Sequence, residues 1–149
     1  MAVGGCFCGN IRVEFSGQPT ISALCHCSDC RKITGTLYSY SFVIKGSDLE
    51  ITGSPKEIAK VSDSGNHIKN YFCPDCGTPL YGLKVSPSGV RDETVILRAG
   101  IFDDIAVLNQ NKPQAEIYVD RRVGWINCIE NADQFEGMPR LEESDEQQA

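Results

Sequence analysis

The sequence lacks the long apolar run that a membrane-spanning segment requires. None of its apolar stretches approaches the roughly 20 residues needed to cross a bilayer. The first ten residues, MAVGGCFCGN, also lack the basic region and apolar stretch of a secretory signal, and Ala2 excludes the myristoylation pattern. We therefore expect a cytoplasmic protein that has no membrane partner.

Positive charge is also scarce, with 14 Lys and Arg against 20 Asp and Glu and a formal net charge of −6. Nucleic-acid binders usually carry a basic face, so we expect no nucleic-acid partner. Acidic residues are concentrated in LEESDEQQA, residues 141–149, which we predict to be a disordered tail. Residues 1–140 have an ordinary globular composition and the length of a single domain.

Short runs of β-branched and aromatic residues dominate the rest of the chain, for example IRVEF, LYSYSFVI, HIKNYF and TVILRAG. Glycine, proline, serine and asparagine separate them, a pattern typical of antiparallel β structure. The sequence therefore predicts a mainly β fold of small antiparallel sheets. One short helix is predicted over Ser28 to Thr34, with Ser28 as N-cap and Gly35 as the C-terminal stop. The segment from Gly124 to Arg140 follows neither pattern.

Cysteine is abundant, with eight residues in 149. Without a signal for an oxidising compartment, cysteines clustered at short spacings favour zinc over disulfides. Two pairs have complementary spacings, Cys6 with Cys8 and Cys73 with Cys76, and each pair is followed by a glycine. Four thiolates of this kind predict a closed structural zinc site that ties the N-terminus to the middle of the chain.

A second cluster, ALCHCSDCRKITG, contains only three cysteines, Cys25, Cys27 and Cys30. Three protein ligands and one open position are typical of a catalytic metal centre, and a thiolate-rich set suits a soft sulfur ligand in the fourth position. The alternative is a closed site completed by a distant residue. Cys128 is the main competitor, although a lone cysteine is more often a small buried hydrophobe. His67 is more simply a surface residue, and His26 would point to the face opposite its neighbouring cysteines.

The order and spacing of GGCFCGNIRVEFSG, LCHCSDCRKITG and YFCPDCGTPLYG resemble the glutathione-dependent formaldehyde-activating enzyme family, which includes centromere protein V. The resemblance covers roughly residues 4 to 125. It implies a zinc-pinned β-tent with two zinc ions per chain. Cys6, Cys8, Cys73 and Cys76 would be the structural ligands, and Cys25, Cys27 and Cys30 the catalytic ligands.

The resemblance further implies a carbon–sulfur lyase that makes or breaks a bond between a thiol such as glutathione and a small electrophilic carbon compound. A small-molecule thiol or thiol adduct would then be the partner. The alternative is a non-catalytic zinc-binding interaction module with the same fold, because fold alone does not decide function.

Several charged residues are weaker candidates for the catalytic site. Arg31 and Lys32 could pair with substrate carboxylates, although an ordinary solvated helix face is the simpler interpretation. Asp29 could relay a proton or cap the helix. The chain also departs from the family pattern near the expected pocket. Glu116 stands where many members have histidine, and is either an acid or base or a surface strand residue. Asn70-Tyr71 stands where members often have a basic residue.

Overall fold

The computed structural model describes residues 1–61 and 67–139. Within these ranges the chain forms two β-sheets, and the mainly β prediction is confirmed. The strands are β1 Ala2–Gly5, β2 Arg12–Phe15, β3 Ile21–Cys25, β4 Ser39–Lys45, β5 Leu49–Thr52, β6 Lys56–Val61, β7 His67–Phe72, β8 Pro79–Val85, β9 Thr94–Arg98, β10 Ala115–Ile117 and β11 Asp133–Gln134. The predicted tail, residues 141–149, lies outside the described residues.

The smaller sheet has the order β1-β2-β5, and the larger has the order β11-β10-β3-β4-β9-β8-β7-β6. Most neighbours are antiparallel, as the short turns between the runs require. Strand β10 is the exception, because it runs parallel to both β3 and β11. This pairing places Ile117 beside Cys25, and therefore brings the later part of the chain to the three-cysteine segment.

The main core follows from the alternation of apolar residues along the strands. In β2, Val13 and Phe15 are buried and Glu14 between them is exposed. They join a cluster that includes Phe42 from β4, whose ring stacks on Phe102 with the centroids 5.7 Å apart. The core thus unites residues of both sheets.

The predicted helix is confirmed over its full length as α1, Ser28–Thr34. Gly35 ends it in the left-handed conformation with φ 68°, which favours glycine. The predicted N-cap was wrong by one residue. The cap is Cys27, whose Sγ accepts a hydrogen bond from the Cys30 N–H at 3.3 Å.

A second helix, α2, spans Ile105–Gln110 and was not predicted. Asp104 caps it by accepting a hydrogen bond from the Ala106 N–H at 2.9 Å. The sequence does contain this signal, an aspartate followed by an apolar run, but the run is too short to show helical periodicity. Neither α-helix in the described part of the chain is long and apolar enough to cross a membrane.

Candidate metal centres

The first cysteine cluster lies between the two sheets. Its members come from the turn before β2 and from the turn between β7 and β8, and their four sulfurs lie within 4.8 Å of one another: Cys6, Cys8, Cys73 and Cys76. The Cys6 and Cys8 sulfurs are 3.5 Å apart, and those of Cys8 and Cys73 are 3.7 Å apart. Tetrahedral zinc with Zn–S bonds of about 2.3 Å requires sulfurs about 3.8 Å apart. The sulfurs therefore fit a zinc ion.

Two glycines give both turns their shape, as their positions in the sequence predicted. Gly9 has φ 85° and Gly77 has φ 79°, values that other residues rarely adopt. The Gly9 N–H donates to the Cys6 carbonyl at 3.1 Å, and the Gly77 N–H donates to the Cys73 carbonyl at 2.8 Å. Each turn therefore folds back so that its two sulfurs share one side.

Polar groups around this cluster favour the thiolate form of Cys6 and Cys76. The hydrogen bond from the Asn10 backbone lowers the pKa of Cys8, but desolvation and the neighbouring sulfurs outweigh it and raise this pKa to about 12. The Ile11 N–H donates to the Cys6 sulfur at 3.2 Å. Hydrogen bonds from the Thr78 side chain and backbone lower the pKa of Cys76 to about 6. The Thr78 hydroxyl also accepts a hydrogen bond from the Phe7 N–H at 3.0 Å, so it joins the two turns. The surroundings suit sulfurs that bind a cation.

The second cluster unites Cys25 at the end of β3, Cys27 at the N-cap of α1 and Cys30 in its first turn, with the three sulfurs within 4.8 Å of one another. All three residues are half-buried. Hydrogen bonding to Cys25 and Cys27 lowers the pKa of Cys30, with smaller contributions from Ser39 and the positive charge of Arg98. The pKa of Cys25 is raised, because the other two sulfurs oppose a second negative charge. A cation bound by all three sulfurs would stabilise thiolates that lie this close together.

No fourth cysteine, histidine or acidic side chain of residues 1–61 or 67–139 joins this cluster. Cys128, which the sequence suggested as a possible fourth ligand, is exposed and lies outside the group of sulfurs. Its interpretation as a small buried hydrophobe was therefore wrong. His67 is exposed, as predicted. His26 is fully buried, its Nε2 is 2.9 Å from Glu116 Oε1, and it does not belong to the group of sulfurs.

Glu116 is neither a surface residue nor a direct neighbour of the sulfurs, and its interpretation as a surface strand residue was wrong. Its side chain is fully buried at the centre of a polar network. Oε2 accepts hydrogen bonds from the Ile129 N–H at 2.9 Å and Gln134 Nε2 at 2.7 Å, and Arg122 Nη2 is 3.1 Å away. Burial opposes ionisation of Glu116, but these donors and His26 outweigh it and lower the pKa. Glu116 therefore ties the segment after β10 to His26, which lies between Cys25 and Cys27 in the chain.

The charged residues of α1 point to solvent. Asp29 is exposed and forms an ion pair with Lys60 instead of capping the helix. Arg31 and Lys32 are exposed as well, which agrees with a solvated helix face. The structure therefore places Asp29, Arg31 and Glu116 around the cluster without bringing them into its group of sulfurs.

A cavity of about 210 Å³ lies between α1 and the larger sheet. Its walls include Ile33 from α1, Tyr71 from β7, Tyr81 from β8 and Arg98 from β9. Sequence reasoning missed Arg98 because it looks like the ordinary polar end of the strand TVILR. Asn70 and Tyr71, noted as departures from the family pattern, do line this cavity.

The fold and the two clusters define a class of protein: a mainly β domain with two cysteine groups able to hold metal ions. The profile of the glutathione-dependent formaldehyde-activating enzyme family matches residues 1–121, and the chain belongs to this family.

Curated relatives give the same family. A candidate glutathione-dependent formaldehyde-activating enzyme of Emericella nidulans is 32% identical over 79 residues, which is 52% of this chain and 40% of the relative. Another, from Sordaria macrospora, is 32% identical over 74 residues, 50% of this chain and 31% of the relative. The matches thus span less than half the length of these relatives. The crystal structure of a Rhodobacter sphaeroides protein shares the fold, with a TM-score of 0.52 and 20% identity over 74% of this chain and 96% of that one.

Proposed function

We propose that the chain is a zinc-dependent enzyme of the carbon–sulfur lyase type, acting on glutathione or another thiol and a small carbonyl compound. The observation that carries this proposal is the three-sulfur cluster, which no fourth cysteine, histidine or acidic side chain of the described residues joins. The helix that carries Cys30 also contributes Ile33 to the wall of the cavity. A structural zinc site has four protein ligands, whereas a catalytic zinc site leaves one coordination position open. Family membership adds support, because its name joins glutathione to formaldehyde.

Cys25, Cys27 and Cys30 would hold the catalytic zinc, and Cys6, Cys8, Cys73 and Cys76 would hold the structural zinc. When bound, the catalytic zinc would act as a Lewis acid that favours the thiolate form of a substrate sulfur. His26 and Glu116 position the segment that carries Cys25 and Cys27.

The reaction requires no oxidant or reductant. The substrate sulfur forms a bond to the carbonyl carbon, the π electron pair of the C=O bond moves to its oxygen, and the thiol proton ends on that oxygen. The product is an S-(1-hydroxyalkyl) thioether, and the reverse reaction breaks the same C–S bond. Asp29 and Arg31 remain candidates for moving the proton or holding the substrate, at the outer edge of the site. A cytoplasmic location, where glutathione is abundant and thiols stay reduced, fits this chemistry.

Metal content and thiol binding together test the proposal. We expect two zinc ions per chain in the wild-type protein by elemental analysis and one in Cys25→Ala. Glutathione should add a sulfur contact to zinc, seen by X-ray absorption, in the wild type and not in Cys25→Ala. Cys128→Ala is the matched control, since it removes an exposed cysteine outside both clusters and should retain two zinc ions.

A turnover measurement separates the enzyme from a non-catalytic module. Formation of the adduct from glutathione and ¹³C-formaldehyde, followed by NMR, should be faster with wild-type protein than with Cys25→Ala. One zinc ion in every variant would contradict the proposed centre. Two zinc ions with thiol binding but no acceleration would instead identify a zinc-binding interaction module.

A further inference from the structure

We propose that the cavity beside the three-cysteine cluster binds a carboxylate of the carbonyl substrate through Arg98, so that the preferred electrophile is an oxo acid instead of formaldehyde. This inference rests on the proposed function, since it assigns the carbon partner of the same reaction. It is carried by the hydrogen bonds of Arg98, the walls of the cavity and the strand register.

The guanidinium of Arg98 is half-buried and held by neutral groups. Its Nη1 donates to Ser41 Oγ at 3.1 Å, and its Nη2 donates to Asn70 Oδ1 at 3.3 Å. Across residues 1–61 and 67–139, no carboxylate forms an ion pair with it. By contrast, Arg12 and Arg122 each have an acidic partner. Arg98 is therefore a partly desolvated guanidinium that lines a cavity, has no carboxylate partner and keeps unused N–H donors. Such a group is suited to bind an anion.

The walls of the cavity determine what else the ligand carries. The rings of Tyr71 and Tyr81 stack with centroids 4.5 Å apart and an interplanar angle of 13°. Ile33 and Ile58 contribute further apolar surface. Formaldehyde, with two heavy atoms and no charge, would use neither the aromatic walls nor the guanidinium. A carbonyl compound with an apolar body and a carboxylate would use both.

The strand register connects the cavity to the cluster. Cys25 pairs with Ser39, and two residues further along β4, about 7 Å away, Ser41 pairs with Arg98. Ile33 lies one turn after Cys30 on α1, so the same helix contributes to the cluster and to the cavity wall. Cys25 and Arg98 thus lie on the two strands that flank β4, about 12 Å apart at the backbone, and their side chains project from the same face of the sheet. An oxo acid bonded to a sulfur at the cluster through its carbonyl carbon would extend its carboxylate across this gap towards the guanidinium of Arg98.

Equilibrium binding tests the receptor without requiring turnover. Benzoate and benzamide have the same shape and differ in charge, and calorimetry would give their affinities for the zinc-loaded protein. We expect benzoate to bind wild type about tenfold more tightly, Arg98→Gln to lose this preference and Arg98→Lys to retain part of it. Arg91→Gln is the matched control, because Arg91 lies over Tyr71 but outside the cavity wall, and should keep the preference.

Kinetics with glutathione then identify the carbon partner. We expect Arg98→Gln to lower kcat/KM about tenfold or more for 4-oxobutanoate, which has an apolar body and a carboxylate, and less than threefold for the uncharged aldehyde butanal. Equal binding of benzoate and benzamide by wild type would overturn the inference. An equal loss with both aldehydes would overturn it too, because Arg98 would then serve the thiol or the charge of the cluster. Absence of turnover with either aldehyde contradicts the proposed function, while the binding result still decides whether Arg98 receives a carboxylate.

Discussion

Glu116 shows how one buried carboxylate can hold the segment after β10 against the segment that carries Cys25 and Cys27. It is 90 residues from His26 in the chain, yet its carboxylate contacts His26, Gln134, the Ile129 N–H and Arg122. Removing a carboxylate from such a network leaves buried donors and a positive charge unpaired. We expect Glu116→Ala to lower the free energy of unfolding by about 3–5 kcal/mol.

Urea denaturation of the zinc-loaded protein would measure this loss. Glu14→Ala is a suitable control, since Glu14 is an exposed carboxylate on β2 and should change stability by less than about 0.5 kcal/mol. Equal effects of the two substitutions would show that the network does not stabilise the fold.

The same network predicts a pH dependence. The pKa of Glu116 in the folded protein lies below its ordinary value of 4.5, so its stabilising effect is fully present above that pH. It is lost as the pH falls through the lowered pKa. The stability difference between wild type and Glu116→Gln should therefore shrink below pH 4.5. A difference that stays constant down to pH 3 would contradict the assignment of an ionised Glu116.

Helix α1 combines two functions at one residue, Cys27. Its sulfur accepts the hydrogen bond that caps the helix and belongs to the three-cysteine cluster. Serine is among the best N-cap residues but a poor ligand for a soft metal. We expect Cys27→Ser to keep the helix, as measured by unchanged far-ultraviolet circular dichroism, and to lose one zinc ion and at least about 90% of turnover.

The outcome separates capping from metal binding. Full zinc content together with full turnover in Cys27→Ser would contradict the proposed catalytic centre. Ser28→Ala is the matched control in the same turn, because the cap lies at Cys27, and it should change neither quantity.

The local parts of this site could be predicted from the sequence. Short spacings fix which cysteines share a face, and Gly9 and Gly77 mark the turns that aim them, since only glycine adopts those backbone angles without cost. The bounds of α1 were equally predictable from Gly35 and the residues before it. The N-cap was missed because a cysteine sulfur, a weak acceptor, took the place of the serine next to it.

The long-range parts were not predictable in this way. Glu116 looks like an ordinary strand residue until β10 pairs in parallel with β3, a contact that no local periodicity encodes. Arg98 ends a typical strand, and its significance depends on Ser41 and Asn70, which come from two other strands. The surroundings of both residues depend on the order of the strands in the sheet, which cannot be read from a single sequence.

The first cysteine cluster joins the two sheets of the molecule. Cys6 and Cys8 lie between β1 and β2 of the smaller sheet, whereas Cys73 and Cys76 lie between β7 and β8 of the larger sheet. Cys73 is fully buried with Ile11 and Leu80 in a small core of its own. A metal at this site would close a loop of 65 residues and stabilise the folded state, because the unfolded chain has no preformed site.

The second cluster, in contrast, lies within one strand–helix segment and closes no long loop. We therefore expect Cys73→Ser to lower Tm by about 10 °C, equivalent to about 3 kcal/mol for a chain of this size, and Cys27→Ser to lower it by less than about 3 °C. Differential scanning calorimetry of the zinc-loaded proteins would measure both shifts. A strong chelator should bring the wild type close to Cys73→Ser, because each then lacks the ion between the sheets. Equal shifts for the two variants would show that both clusters stabilise the fold to the same degree, and would remove the division into a structural and a catalytic site.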